Sequence, residues 1–268
     1  MIFQENIHVP LLQQAIAYWD FDRTFISRGT HPLTLRILRE TVNWCKPGVW
    51  SPHALHITAG AQLHIPRAEL GPLNCCGPQA QVTLFAWIRP ESDAPWQHIA
   101  GVWNETAKQR QFGLFFNATT RTNANTMQRI PCRMRVHGHL SHIGGTAPGN
   151  ICCLTYASGG TEISTHTWTP VAMTYDGEAI RVYVQGRLDP CTASNPFPYP
   201  GGIFDSGPDG ADFTVGANHA GGETRNFFAG ALGGLAIFPR ALSPNEIAAL
   251  STPPLQEHDD SNSRYPNG

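Results

Sequence analysis

What this chain lacks narrows its function before any motif is read. Charged residues are only 14% of its 268, and the formal net charge is -2. With no basic excess there is no case for nucleic acid, and with no acidic run there is none for a solvating tail. No stretch approaches the roughly eighteen apolar residues of a membrane span, so no membrane partner is expected. The opening MIFQENIHVPLLQQAIAYWD has no basic n-region, long apolar run or small-residue cleavage site. A signal peptide is therefore not expected, and a cytoplasmic compartment is the default. The seven cysteines are Cys45, Cys75, Cys76, Cys132, Cys152, Cys153 and Cys191, and none forms a CxxC pair. A structural zinc knot is thus not expected. Their odd number leaves two readings open: small buried thiols in a reducing compartment, or disulfides with one thiol left over.

What the chain does have is glycine, 26 residues, and proline, 22. Such numbers are housed most easily in the turns between many short strands. Expected strands include ALHI (54–57), QLHIP (62–66), QVTLFAWIRP (81–90), IAGVWNE (99–105) and QFGLFFNA (111–118). Each is rich in β-branched or aromatic residues or stopped by a turn former. Residues 119–130 are polar and read as a surface loop. In CRMRVHGHL (132–140), strict alternation predicts Cys132, Met134, Val136 and Leu140 on one face, and Arg133, Arg135, His137 and His139 on the other. WTPVAMTYDG and EAIRVYVQGRLD predict a hairpin turning at Asp176-Gly177. SPNEIAAL predicts one short helix, with Ser243 as N-cap, Pro244 at N1 and Glu246 closing a capping box. The expected organisation is an arm (1–16), one domain (17–252) and a disordered tail (253–268). The fold class is all-β, a two-sheet antiparallel sandwich with one C-terminal helix.

The C-terminal third carries a resemblance. Trp168, Tyr175, Asp176, Gly177, Tyr183, Gly186, Phe228, Gly230, Arg240, Ala241, Leu242, Ser243, Glu246 and Ile247 recur in order, after an AYWDFD opening and the QVTLFAWIRP strand. This pattern resembles the laminin-G-like, concanavalin A-like lectin/glucanase jelly-roll family. The resemblance implies a concanavalin A-like jelly roll, with extracellular placement by family habit. It also implies a calcium site, for which Asp20 and Asp22 supply the first acidic ligands. The late acidic position is missing, because Gly233 stands there in GALGGL, and hard cations need several oxygens. The fold hosts lectins, adhesion modules, lyases and glycosidases, so function must be argued from a site.

Two strand faces supply one. Arg133, Arg135, His137 and His139 project from the first strand, and Arg181, Tyr183 and Gln185 from the second. Sharing a concave sheet, they would line one groove. Arg and Gln suit carboxylates and hydroxyls, and Tyr183 suits a sugar face. Trp96, in the APWQH turn, is the tryptophan expected to be open to a ligand. The leading expectation is a carbohydrate-binding, lectin-like module whose partner is a glycan, including an acidic polysaccharide. The alternatives are a lyase on acidic polysaccharide, using His137, His139, Tyr183 and Arg135 as acid, base and carboxylate neutraliser, and a protein-interaction module. His137, His139 and His142, with His166 or His219, also suggest a metal set. The paired carboxylates of a glycosidase are not found, Glu162 standing alone.

Overall fold

Alternating apolar positions place side chains on both faces of a strand, and here they build two sheets around one core. The computed structural model describes residues 8–123, 125–146 and 155–253. In chain order the strands begin with β1 (Ala17–Trp19), β2 (Arg36–Arg39), β3 (Val42–Cys45), β4 (Ala54–Ile57) and β5 (Gln62–Ile65). Next come β6 (Val82–Pro90), β7 (Gln97–Asn104), β8 (Gln109–Phe116), β9 (Thr120–Thr122) and β10 (Arg129–Pro131). They continue as β11 (Val136–Gly144), β12 (Tyr156–Ser158), β13 (Thr169–Tyr175), β14 (Ala179–Val184) and β15 (Arg187–Leu188). The last are β16 (Phe197–Pro198), β17 (Phe213–Val215), β18 (Asn218–Ala220), β19 (Glu223–Arg225) and β20 (Gly230–Phe238). Two short helices, α1 (His8–Leu12) and α2 (Pro244–Leu250), lie at the ends.

The first sheet runs β15-β14-β13-β6-β20-β4-β3, with β1 also on β20 and β16 on β14. The second runs β12-β11-β8-β7-β17-β5-β2, with the β18–β19 hairpin attached to β7. Pairing is antiparallel except between β18 and β7. This is the expected β-sandwich. Its core joins Leu84, Ile88, Met173, Ile180 and Val182 of the first sheet to Phe112, Leu114, Phe116, Val136 and Leu140 of the second. Trp19 stacks on Phe213 at 6.1 Å, tying the opening strand across the gap. At Gly138 the sheets approach closely: a Cβ there would lie 2.8 Å from Met173 Cβ and 3.3 Å from Val182 Cγ2.

The first sheet's outer face is covered. Phe85, Trp87, Ala172, Tyr183, Ala236 and Phe238 form a second apolar cluster with Leu11, Leu12 and Ala15 of the arm and Ile247 and Leu250 of α2. The arm therefore packs on a sheet face. Trp87 Nε1 donates to the Leu250 carbonyl at 3.1 Å. Helix α2 is held by the expected capping box between Ser243 and Glu246. Arg240 clamps the Glu246 carboxylate and pulls its pKa down to about 2.

Several expectations need correcting. The 119–130 segment is not all loop, since β9 and β10 pair as a small hairpin. Strand β3 has no apolar alternation to reveal it, because its residues are half-buried or exposed. Cys132 does not share a face with Met134 and Val136. Met134 takes a left-handed φ of 52°, and regular pairing starts only at Val136. That break turns Cys132 outward, where its sulfur lies 3.8 Å from His137 Nε2. Cys45, Cys75, Cys76, Cys132 and Cys191 are free thiols. Cys152, Cys153 and, beyond Pro253, the tail lie outside the described residues.

Gly138→Ala should destabilise the fold by about 1–3 kcal/mol, as overpacked cores do. Urea unfolding measures it, and an unchanged midpoint would show that the sheets do not touch there.

Candidate functional site

Helices α1 and α2 pack on the first sheet, through Leu11, Leu12, Ile247 and Leu250, and not on the second. With Gly138 directed to the core, its neighbours His137 and His139 must project the other way. They meet Phe115 of β8, Trp103 and His98 of β7, and Tyr156 of β12. His139 packs on Phe115 at 4.6 Å and lies nearly parallel to Tyr156 at 4.8 Å. Trp103 meets His139 edge-on at 5.5 Å, and His98 meets Phe115 at 4.7 Å. Trp96, on the loop entering β7, completes the group at 6.3 Å from His137 and 6.1 Å from His139. Its backbone is left-handed, with φ 58°, and its N–H donates to the Asn117 carbonyl at 2.8 Å.

A cleft of about 360 Å³ opens on this layer, lined by Trp96, Trp103, His139 and Thr155, with Glu105, Arg110, Arg225 and Asn226 among its other residues. Trp96 is the more open ring, half-buried, whereas Trp103 is buried beneath Arg110, whose guanidinium lies 5.5 Å from the ring. A second hollow of about 270 Å³ shares Trp103 and is lined by Gln62, Asn104, Gln109, His219 and Thr224. Buried polar atoms gather here without partners: His139 Nε2, Thr155 Oγ1 and Arg110 Nε in the cleft, Gln62 Oε1 in the hollow. Leaving such groups unsatisfied costs about 1–3 kcal/mol each, which a bound polar ligand would recover.

The three histidines of the layer are neutral. Burial depresses His98 to about 3. Burial, then Arg135 and Arg121, brings His137 to about 3. His139 lies well below the usual histidine range, through burial first and then the charges of His137, Arg110 and His98. A neutral imidazole offers one donor and one acceptor, which suits hydroxyl recognition.

Of the residues singled out in the sequence, Trp96, Arg135, His137 and His139 come together. Arg133 points away and pairs with Asp93 at 2.7 Å on the surface. Arg181, Tyr183 and Gln185 are on the other sheet, which corrects the expected shared groove. β11 pairs with β8 and β12, β14 pairs with β13, and the two strands face each other through the core at Gly138. Outward from β11 and outward from β14 are thus opposite directions, a sheet spacing of about 10 Å apart at the least. Tyr183 is buried in the apolar cluster with α2, Arg181 pairs with Asp176, and Gln185 sits exposed in the turn after β14. Of the four residues suggested for elimination, His137, His139 and Arg135 therefore share one face, and Tyr183 lies on the other sheet.

The metal sets do not form either. Among the described residues no three His, Cys, Asp or Glu side chains converge on one point. His142 Nδ1 instead bonds the Tyr199 hydroxyl at 2.8 Å, and His219 Nδ1 the Thr106 hydroxyl at 3.0 Å. For calcium, the donors do not fit. Asp20 is paired with Arg28 at 3.1 Å and Asp22 with His53 at 2.9 Å. At Gly233 a side chain would meet Val49 and Trp168 rather than an oxygen cage.

Sequence reasoning missed Trp103, Arg110 and Thr155. An irregularity in β7 between His98 and Ala100 breaks the period of two, so His98 and Trp103, five apart, face the same way. Their shared outward placement was not readable from alternation.

The laminin G profile of the concanavalin A-like lectin/glucanases superfamily matches residues 67–248. No curated protein matches the chain in sequence. Domain 4 of AbnA, a GH43 extracellular arabinanase from Geobacillus stearothermophilus solved with arabinotriose, is similar at TM-score 0.59 and 18% identity, over 89% of this chain and 98% of that one. The CBM40 of the Ruminococcus gnavus IT-sialidase is similar at TM-score 0.50 and 15% identity, over 74% and 96%. A botulinum neurotoxin type C structure, described with cell entry dependent on two ganglioside molecules, is similar at 0.53 and 11%, over 91% of this chain and 52% of that one. At these identities the likeness is one of fold.

The buried histidines make stability pH-dependent. Unfolded, they bind protons below about pH 6.5, whereas His98 and His137 stay neutral in the fold to about 3. The unfolded state therefore takes up more protons in that window, and stability falls as pH drops through it, by about 1.4 kcal/mol per pH unit for each. Urea unfolding at about pH 7 and about pH 5 should show this loss, and His137→Gln should reduce it. Equal slopes in the two proteins would count against the assignment.

Proposed function

The chain belongs to the concanavalin A-like lectin/glucanases superfamily, and on that premise we propose that it is a carbohydrate-binding module. Its glycan would sit on the outward face of the second sheet, in the cleft beside Trp96. The observation that carries this reading is the contrast between the sheets. One outer face is sealed by apolar residues of the arm and α2. The other holds a cleft whose half-open indole lies beside buried polar atoms that have no partner. A sugar presents an apolar C–H face and a ring of hydroxyls. The first stacks on an indole, and the second pairs with neutral imidazole, hydroxyl and guanidinium groups. The structural neighbours support the same reading, since one was solved with arabinotriose and another is tied to gangliosides.

A glycan array followed by titration calorimetry tests this. Trp96→Ala should weaken the best glycan by more than 2 kcal/mol, about thirtyfold, as expected for an aromatic anchor. The fold should survive, because Trp96 is only half-buried. Binding that persists undiminished would remove the cleft as the site. A chelator should leave affinity unchanged, since the carboxylates suggested for calcium are already paired with Arg28 and His53.

A further inference from the structure

Near His137 the second sheet's face carries two arginines that have no ion-pair partner among the described residues. Arg121 comes from the β9–β10 hairpin, and Arg135 precedes β11. Both are half-buried, and the Nε of each is buried without a hydrogen-bond partner. Arg121 makes one side-chain bond, from Nη1 to Ser194 Oγ at 2.6 Å. Arg135 makes none with its side chain, and neither has a carboxylate partner among the described residues. Their charges converge on the same two groups, His137 and the Cys132 thiol beside it. No acidic residue is among the influences on either group.

Each guanidinium carries five donors that need acceptors. Ordinary packing supplies a carboxylate or several carbonyls. Among the described residues the two receive one serine hydroxyl, that of Ser194 on Arg121. The arginines border the aromatic layer: Arg135 stands two residues before His137, and Thr122, next to Arg121, donates its N–H to the Tyr156 hydroxyl at 3.0 Å, the Tyr156 ring lying 5.8 Å from His137.

We infer that Arg121 and Arg135 form an anion subsite, and that the glycan bound beside Trp96 is acidic. Its carboxylate or sulfate ester would accept from the two guanidiniums while its ring packs on the indole. Guanidinium matches a planar carboxylate or a sulfate edge through paired N–H donors. The inference rests on the carbohydrate-binding reading and adds the charge class of the sugar. It also gives the arginines a different task from elimination, since the oxyanion is held and no bond is broken.

The test is calorimetry on the whole chain with an oligogalacturonate, a chondroitin sulfate oligosaccharide and a neutral arabino-oligosaccharide. At least one acidic probe should bind roughly tenfold or more tighter than the neutral one, and the better of the two identifies carboxylate or sulfate. Arg135→Gln and Arg121→Gln should each bring acidic affinity down toward the neutral level, whereas Arg135→Lys keeps part of the preference. In the native chain the preference should shrink between roughly 50 mM and about 500 mM salt, a readout that needs no variant to fold. Equal affinity for acidic and neutral probes, or a preference untouched by both glutamine variants, overturns the inference and leaves the carbohydrate reading standing. Inorganic sulfate that binds at the arginines with no glycan preference overturns it in favour of a free-anion site. If no glycan binds and Trp96→Ala changes nothing, the reading beneath it fails as well.

Discussion

The close approach of β11 to the opposite sheet governs the rest of the architecture. Gly138 leaves room for Met173 and Val182 to reach the strand, so no side chain separates the sheets there. Antiparallel pairing with β8 then fixes the register, Gly138 opposite Leu114 and His139 opposite Gly113. One consequence is that His137 and His139 have only the outer face to occupy. Another is that Gly113 leaves space on that face, where a Cβ would crowd the Phe115 ring at 2.9 Å. The site layer and the core are thus two results of the same contact.

That layer is polar in composition yet dry enough to keep three imidazoles neutral. Their positive neighbours reinforce what burial begins, since Arg110, Arg121 and Arg135 all disfavour protonation nearby. The result is a face whose net charge comes from guanidiniums while its hydrogen bonding comes from neutral rings. In a chain of net charge -2, this local concentration of positive charge is a property of place and not of composition.

Much of the fold was legible, and the reason lies in period. β4, β5, β6 and β13 alternate or run apolar over their whole length, and their bounds match the sequence to within a residue or two, whereas EAIRVYVQGRLD divides into β14 and β15, which pair with each other. Ser243, Pro244 and Glu246 specify α2 by local chemistry alone. The site was half legible. Trp96 stands in a turn, where a tryptophan has little core to fill, and His137 and His139 keep strict alternation. Cys132, Trp103 and His98 were hidden because irregular backbone precedes them or lies between them. Alternation gives the face of a side chain within one strand, and the sheet to which that strand belongs is a separate, long-range fact. The pairing of His137 with Tyr183 failed on that second point.

The two outer faces also explain why one family fold can leave its C-terminal signature silent about activity. Trp168, Tyr183, Leu242 and Ile247, which carry much of the resemblance, serve the covered face: Tyr183, Leu242 and Ile247 are buried there, and Trp168 packs against the cluster. Their chemistry is apolar packing of the arm and α2 onto β6, β13, β14 and β20, a task that any ligand specificity would share. The residues that differ in chemistry from ordinary packing stand on the other sheet, where the β9–β10 hairpin, Thr155 and the β18–β19 hairpin border the cleft and the arginines. The proposed glycan site accordingly draws its selectivity from what these segments add to β7, β8 and β11, with the guanidiniums of Arg121 and Arg135 foremost among the polar groups without ion-pair partners among the described residues.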